Sequence, residues 1–300
     1  MDADSPGEAG PVAYVLGGGG HLGAYEVGML RALRDAGVTP DLVVGTSIGA
    51  VNGALVAADP VGHAIEALTG LWLGVSDAEL FGESVLGRLG RLARTRTHVH
   101  SNQPLRAMLD AALPVQRIEE LAVPFQCVAA SIERASEHWF TSGPITEAVL
   151  ASAAVPGLLP AVEIGGEHFL DGGLVHSIPV GRAVELGART VFVLHVGRVD
   201  QPLTPPAMPW EVASVAFEIA RRHRFHREIA DLPAGVTAYV LPTGMGEDGR
   251  SSALSQLRYR DFSRVRGRIE QAYRASSGYL AGLDRRGAGD PPRRTGSEGS

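Results

Sequence analysis

Three short motifs in this sequence contain the residue types that acyl-transfer chemistry requires. They are the glycine-rich run Gly17–Gly23 (GGGGHLG), the run Gly45–Gly49 (GTSIG) and the run Asp171–Gly173 (DGG). A serine hydroxyl can attack an ester carbonyl if a base takes its proton and if N–H groups hold the oxyanion that forms. The three motifs therefore supply a candidate nucleophile, a candidate base and candidate oxyanion donors.

The candidate nucleophile is Ser47, which stands between a short apolar strand predicted over Leu42–Val44 and a helix predicted over Ile48–Ala58. A G-x-S-x-G in this setting is typical of a nucleophile elbow, because Gly45 and Gly49 allow a sharp turn. The helix dipole would also favour developing negative charge at the serine. An ordinary helix N-cap serine is the alternative, and the motif alone leaves it open.

The glycine-rich run follows a strand predicted over Val12–Leu16 and leads into a helix predicted over His21–Ala36. From Gly18 it can be read as G-x-G-x-x-G, the pattern of a dinucleotide-binding turn, but the second strand lacks the acidic residue that this reading requires. Loops after consecutive parallel strands lie at one edge of the sheet, so we expect this loop to face Ser47 and hold an oxyanion. The expected donors are the amides of Gly18, Gly19, Gly20 and His21.

The candidate base is Asp171, which follows a short predicted strand, His168–Leu170, and precedes Gly172 and Gly173. An Asp-Gly pair is also common in ordinary β-turns, and that alternative stays open on the motif alone. All 27 basic residues are arginines, so a Ser-Lys pair is excluded. The chain contains 10 histidines, so composition does not exclude a Ser-His-Asp triad.

Taken together, the three motifs resemble the patatin-like phospholipase family, in its bacterial type. That family has a glycine-rich oxyanion loop after the first strand, a G-x-S-x-G elbow, and a D-G-[GA] motif that carries the second catalytic residue. The run Ser152–Val180, the segment Ser101–Leu109 and the predicted final helix, Phe262–Leu283, are also similar to the family. The resemblance covers roughly residues 11–283.

The resemblance implies a Ser-Asp dyad without histidine, with Ser47 as nucleophile, Asp171 as general base and the glycine-loop amides as oxyanion hole. The expected motif glycines are Gly23, Gly45, Gly49, Gly172 and Gly173. The implied fold is an α/β, three-layer arrangement with a central, mostly parallel sheet flanked by helices. The implied activity is hydrolysis of lipid acyl esters without a metal or organic cofactor.

One position departs from the family pattern. The family's loop often carries Arg or Lys where this chain has Leu22, and the lack of that cation leaves a preference for phospholipids open. A catalytically silent lipid-binding or regulatory module on the same fold is the alternative function.

Composition and length set the remaining expectations. The 300 residues are 45% hydrophobic and carry a net charge of −6, which argues against a nucleic-acid partner. The single cysteine, Cys127, excludes an intramolecular disulfide and a cysteine-based metal cluster. The start resembles no signal peptide and no apolar stretch reaches membrane-spanning length, so we expect a cytoplasmic chain. We expect a flexible N-terminus over residues 1–10, an acyl hydrolase domain over 11–284 and a disordered tail over 285–300.

Residues 76–103 are a candidate lid or membrane-docking insertion within that domain. Over Leu80–Arg96 the apolar residues fall on one helical face and the basic residues on another, which is typical of an interfacial helix. The apolar residues are Val85, Leu89 and Leu92, and the basic residues are Arg88, Arg91 and Arg94. This pattern predicts peripheral contact with an anionic membrane at its inner surface, with an ordinary surface helix as the alternative.

Overall fold

The computed structural model describes residues 10–74, 97–197, 199, 202–245 and 265–286. The chain begins with two strands that alternate with two helices: β1 (Val12–Leu16), α1 (Ala24–Asp35), β2 (Leu42–Thr46) and α2 (Ile48–Ala58). Both strands are almost entirely buried and apolar, as central strands of a parallel sheet must be when helices cover both faces.

The chain continues through further helices and strands that extend this unit. In chain order they are α3 (Ala64–Gly74), α4 (Gln103–Ala112), β3 (Phe125–Ser131), β4 (Ser136–Phe140), α5 (Ile145–Ser152), β5 (Val162–Ile164), β6 (Glu167–Asp171), α6 (Val180–Glu185), β7 (Thr190–Leu194), α7 (Pro209–Ala230), β8 (Thr237–Val240) and α8 (Val265–Arg286). Short 3₁₀ turns cover Gly20–Gly23, Ile118–Glu120 and Gly172–Leu174.

The described strands form one sheet with a parallel and an antiparallel part. The parallel part has the strand order β3-β2-β1-β7-β8. The antiparallel part adds β4 and β6, which both pair with β3, and β5, which pairs with β6. Crossover helices between the parallel strands bring the carboxyl ends of β1 and β2 to the same edge. The prediction of a mostly parallel sheet is confirmed.

Two apolar clusters lie on opposite faces of this sheet. Tyr14 and Leu16 of β1 face a cluster that includes α1, α2 and α8, whereas Ala13 and Val15 face a cluster that includes α6 and Phe225 of α7. Alternate residues of one strand thus belong to different cores, because successive side chains of a strand point to opposite faces. The arrangement is a three-layer α/β/α fold, as the sequence led us to expect.

Several element bounds differ from the sequence-based prediction. Strand β2 continues to Thr46 and β6 covers Glu167–Asp171, so both strands are longer than predicted. The helix predicted from His21 starts at Ala24, because Gly20 has a φ of 55° and the chain first forms a 3₁₀ turn. The last helix continues to Arg286, two residues into the segment expected to be a tail. The predicted docking segment Leu80–Arg96 lies outside the described residues, as do residues 1–9 and 287–300. Among the helices that the structure describes, none combines the length and apolarity needed to span a bilayer.

Candidate active site

Ser47 occupies a strained turn between β2 and α2. Its backbone has φ 55° and ψ −122°, a conformation that non-glycine residues rarely adopt. The turn is tight enough that a Cβ atom on Gly49 would lie 2.3 Å from the Leu16 carbonyl oxygen. Strain of this kind persists only where the surrounding structure imposes it, and it is concentrated at functional sites. The serine side chain is 7% exposed.

Polar groups from distant segments hold this turn in place. The Ser47 amide donates to the Ser152 hydroxyl oxygen at 2.9 Å, and the Thr46 hydroxyl donates to the His176 carbonyl oxygen at 2.7 Å. Sequence reasoning did not assign a role to either contact. The signal for Ser152 was present, since this residue opens the run Ser152–Val180 that is similar to the family.

Asp171 lies next to the serine. The Ser47 hydroxyl donates to Asp171 Oδ2 at 2.6 Å, and the Gly173 amide donates to Asp171 Oδ1 at 2.7 Å. The carboxylate is therefore fixed through both oxygens, with one oxygen facing the serine. A Cβ atom on Gly172 would lie 2.1 Å from the Val128 carbonyl oxygen, so this turn packs directly on β3. The hydrogen-bond acceptor of the Ser47 hydroxyl is thus a carboxylate and not a histidine ring.

The sheet register explains how residues 124 positions apart come together. Thr46 of β2 pairs with Val128 of β3, and Asp171 of β6 pairs with Ala129, the next residue of β3. Strand β4 pairs with both Val128 and Ala129 and occupies the other edge of β3. Strands β2 and β6 therefore share one edge and meet end to end from opposite directions. Ser47 and Asp171 stand at the point where they meet.

Burial changes the acidity of Asp171. Removal of the carboxyl group from water raises its pKa to about 6, although the Ser47 hydroxyl and the Gly173 amide each favour the ionised form. At neutral pH the group is then a carboxylate, but a more basic one than an exposed aspartate. A pKa close to the operating pH suits a general base.

The glycine loop lies beside the serine. A Cβ atom on Gly18 would lie 3.4 Å from the Cβ atom of Ser47. The Gly18 amide donates to the Ser177 carbonyl oxygen at 2.9 Å, and it is therefore already engaged in this conformation. Of the four expected oxyanion donors, the amides of Gly19, Gly20 and His21 then remain.

The single cysteine of the chain is fully buried in β3. Burial raises the pKa of the Cys127 thiol, which makes it a poor nucleophile. Within the part of the chain that the structure describes, no group of three or more His, Cys, Asp or Glu side chains could hold a metal ion.

Comparison with known proteins places these motifs in a family. The family model described as patatin-like phospholipase matches residues 14–184, more than half of the chain. The chain is 32% identical over 196 residues to a patatin-like phospholipase domain-containing protein of Caenorhabditis elegans, with 63% of this chain and 14% of that protein covered. It is 30% identical over 203 residues to lysophospholipase nte1 of Aspergillus terreus, with 63% of this chain and 12% of that protein covered.

This chain thus spans only a small part of those much longer relatives. A match to the crystal structure of VipD from Legionella pneumophila covers 92% of this chain and 67% of that chain, at 14% identity and a TM-score of 0.41. The family model and the sequence relatives agree with the motifs, and the chain belongs to the patatin-like phospholipase family.

Proposed function

We propose that the chain is a serine acyl hydrolase of the lipase or phospholipase A type, which cleaves lipid acyl esters through Ser47 and Asp171. The observation that carries the proposal is the 2.6 Å hydrogen bond from the hydroxyl of a strained elbow serine to a buried carboxylate. A structural serine at a helix start does not need a positive φ or a carboxylate acceptor. Both features are useful to a nucleophile, which a sharp turn presents to the substrate and which must be deprotonated as it attacks.

In the first half of the proposed reaction, the Ser47 oxygen attacks the ester carbonyl carbon while Asp171 takes the hydroxyl proton. The carbonyl oxygen becomes an oxyanion, for which the amides of Gly19, Gly20 and His21 are the candidate donors. The tetrahedral intermediate then expels the alcohol, which receives the proton from Asp171. An acyl-Ser47 ester remains.

In the second half, a water molecule attacks the acyl-Ser47 carbonyl and Asp171 accepts the water proton. Collapse of the second intermediate breaks the bond to Ser47, and the serine oxygen takes the proton back from Asp171. The fatty acid leaves and the dyad is restored. Both steps need a base that is ionised at working pH yet basic enough to hold the proton briefly, as burial makes Asp171.

A lipid ester as substrate is supported by the family and by relatives that are named phospholipases and lysophospholipases. The cytoplasmic location, the bacterial type and the peripheral contact with an anionic membrane remain predictions from the sequence. The preference for one lipid head group is likewise left to experiment, because Leu22 stands at the position that is often basic in the family.

The proposal is tested by active-site labelling combined with a substrate panel. A fluorophosphonate probe should label Ser47 in the parent and leave Ser47→Ala unlabelled. The panel compares phospholipids, lysophospholipids, glycerides and short p-nitrophenyl esters, and fatty acid release from at least one class is expected. A parent that is neither labelled nor active on any ester would instead be a lipid-binding module.

The pH dependence tests the role of Asp171 as base. We expect kcat/KM for a soluble ester to rise about tenfold per pH unit up to about pH 6 and then to level off, because only ionised Asp171 can take the serine proton. Measurement of kcat/KM at a series of pH values from 4.5 to 8 tests this expectation. A limb centred near pH 7 that disappears on substitution of a histidine would point to a triad.

A further inference from the structure

A buried polar cluster lies behind the glycine loop and takes no part in the proposed proton transfers. It consists of Glu26 of α1, Asn52 of α2 and Trp72 of α3, whose exposed fractions are 0%, 0% and 3%. Burial of a carboxyl and an amide costs free energy unless their polar atoms find partners. Space filling alone therefore does not account for these three polar side chains, since apolar side chains would fill the same volume at lower cost.

Hydrogen bonds join the three side chains in a defined order. Asn52 Nδ2 donates to Glu26 Oε2 at 2.7 Å and to the Gly23 carbonyl oxygen at 3.1 Å, and Asn52 Oδ1 accepts from Trp72 Nε1 at 3.1 Å. An indole N–H can only donate, so it fixes which end of the Asn52 amide faces it. The amide nitrogen must then face Glu26 and the loop.

The cluster connects the two parts of the candidate site that must keep a fixed separation. Gly23 ends the glycine loop, and Asn52 belongs to the helix that starts directly after Ser47. A Cβ atom on Gly23 would lie 2.5 Å from Ile48 Cγ1 and 2.7 Å from Trp72 Cζ2, so the loop end has no free space around it. The position of the loop relative to Ser47 is set at this contact.

The charge state of Glu26 suits a position behind an oxyanion hole. Burial raises the pKa of its carboxyl well above the usual range, more than Asn52 and the Gly17 amide lower it. Burial therefore favours the uncharged form of this carboxyl group. Oε1 has no hydrogen-bond partner within the ranges that the structure covers. A carboxylate here would place negative charge behind the amides that must hold an oxyanion, whereas the uncharged acid does not.

We propose that Glu26 is a positioning residue: through Asn52, its carboxyl group holds the glycine loop at the distance from Ser47 at which the loop amides can stabilise an oxyanion. The inference rests on the proposed hydrolase function and adds a residue to it. The described hydrogen bonds of Glu26 lead to Asn52 and not to Ser47, so its effect on the reaction passes through the loop.

Two substitutions of Glu26 separate hydrogen bonding from space filling. Glu26→Gln has a side chain of the same size, and its amide oxygen can accept the hydrogen bond from Asn52. Glu26→Leu keeps the approximate size and removes the acceptor. The readouts are amide hydrogen exchange of the loop peptide around Gly17–Gly23 and the kcat and KM for a soluble p-nitrophenyl ester.

We expect Glu26→Leu to exchange its loop amides roughly tenfold faster and to lose roughly 10- to 100-fold in kcat, with KM within about twofold. Glu26→Gln should stay within about threefold of the parent in both readouts. If Glu26→Leu does not fold, Trp72→Phe serves instead, because it removes the donor to Asn52 Oδ1. Its effects should be smaller and in the same direction.

Tyr14→Phe is the matched control. It removes a part-buried hydrogen bond, 2.8 Å long, to the carbonyl oxygen of Val38 in the connection between α1 and β2. It should lower the melting temperature and leave loop exchange and kcat unchanged.

The positioning role is refuted if Glu26→Leu and Trp72→Phe leave loop exchange unchanged, or if Glu26→Gln is as impaired as Glu26→Leu. Exchange needs no substrate. A parent without hydrolytic activity would therefore overturn the proposed function, while the exchange data would still decide the role of Glu26.

Discussion

The two halves of the candidate site hold their key residues by different means. Ser47 stands in the parallel part of the sheet, on a turn between consecutive elements, with φ at 55°. Asp171 ends a strand of the antiparallel part, with an ordinary backbone at φ −49° and ψ 130°. Its unfavourable feature is the burial of a carboxyl group, which raises its pKa to about 6.

This difference shows that strain at one site can be stored in two forms. The nucleophile half stores it in backbone geometry, and the base half stores it in desolvation. The first form depends on the residues next to Ser47 and can be seen in a short motif. The second depends on what the fold places around Asp171. Substitutions at the two positions should therefore differ in their effect on stability even where their effects on turnover are the same.

The largest expected effect is the loss of turnover when either half of the site loses its key side chain. Ser47→Ala and Asp171→Asn should each lower kcat by roughly 10⁴-fold or more, because nucleophile and base act as one unit. The double variant should be no slower than the slower single variant. The measurement is kcat on a soluble ester, with circular dichroism to show that each variant is folded.

Ser276→Ala is the control for that comparison. It removes another buried serine hydroxyl, which donates to the Pro242 carbonyl oxygen at 3.0 Å, and turnover should be unchanged. Substantial activity of Asp171→Asn, together with loss of activity on substitution of a histidine, would contradict the dyad.

The next largest effect concerns the loop on the nucleophile side. A Cβ atom on Gly19 would lie 1.9 Å from Val196 Cγ2, so Gly19→Ala must shift either the loop or the Val196 side chain. We expect kcat to fall roughly 10²- to 10³-fold with little change in KM, as for the loss of an oxyanion donor. Gly70→Ala in α3, where a Cβ atom meets open space, should have no effect. A rise in KM with unchanged kcat would assign the loop to substrate binding.

A smaller effect, on folding stability, measures the cost of burying the Asp171 carboxyl group. The pKa of Asp171 is higher in the folded chain than the ordinary value of 3.8, so the unfolded chain ionises first as pH rises. Folding stability is therefore lost between about pH 4 and pH 6, and the loss is complete above pH 6. Asp171→Asn should be about 1–3 kcal/mol more stable than the parent at pH 7.5 and show little difference near pH 4.

Urea unfolding at the two pH values measures this difference. Asp59→Asn is the control, because the Asp59 carboxylate caps the turn before α3 through the amides of Gly62 and His63 and should not be stabilised by neutralisation. A gain that is the same at both pH values would show that desolvation of Asp171 is not its cause.

The smallest effect isolates the strain on the nucleophile side. Ser47→Gly and Ser47→Ala both lack the hydroxyl, but glycine adopts a positive φ without steric cost. We expect Ser47→Gly to be about 1 kcal/mol more stable than Ser47→Ala. Relief of the backbone strain should outweigh the greater conformational entropy that glycine gives the unfolded chain. Urea unfolding at one pH is sufficient. Equal stability of the two variants would show that the backbone of the turn is not strained. Backbone geometry would then not distinguish the Ser47 half of the site from the Asp171 half.

The sequence by itself determined the elements whose signals are local. The bounds of β1 (Val12–Leu16) and α2 (Ile48–Ala58) agree with prediction, because apolar runs and turn residues mark them within a few positions. The placement of Ser47 between strand and helix followed from the same signals. The family resemblance came from the combination of three motifs, and the family match supports it.

Only the tertiary structure decided how these elements meet. The end-to-end arrangement of β2 and β6, the Ser152 acceptor for the Ser47 amide and the engagement of the Gly18 amide all join residues far apart in the chain. The cluster of Glu26, Asn52 and Trp72 is of the same kind. Strand register and side-chain partners across elements depend on packing over long separations, whereas periodicity and turn chemistry report only neighbouring residues.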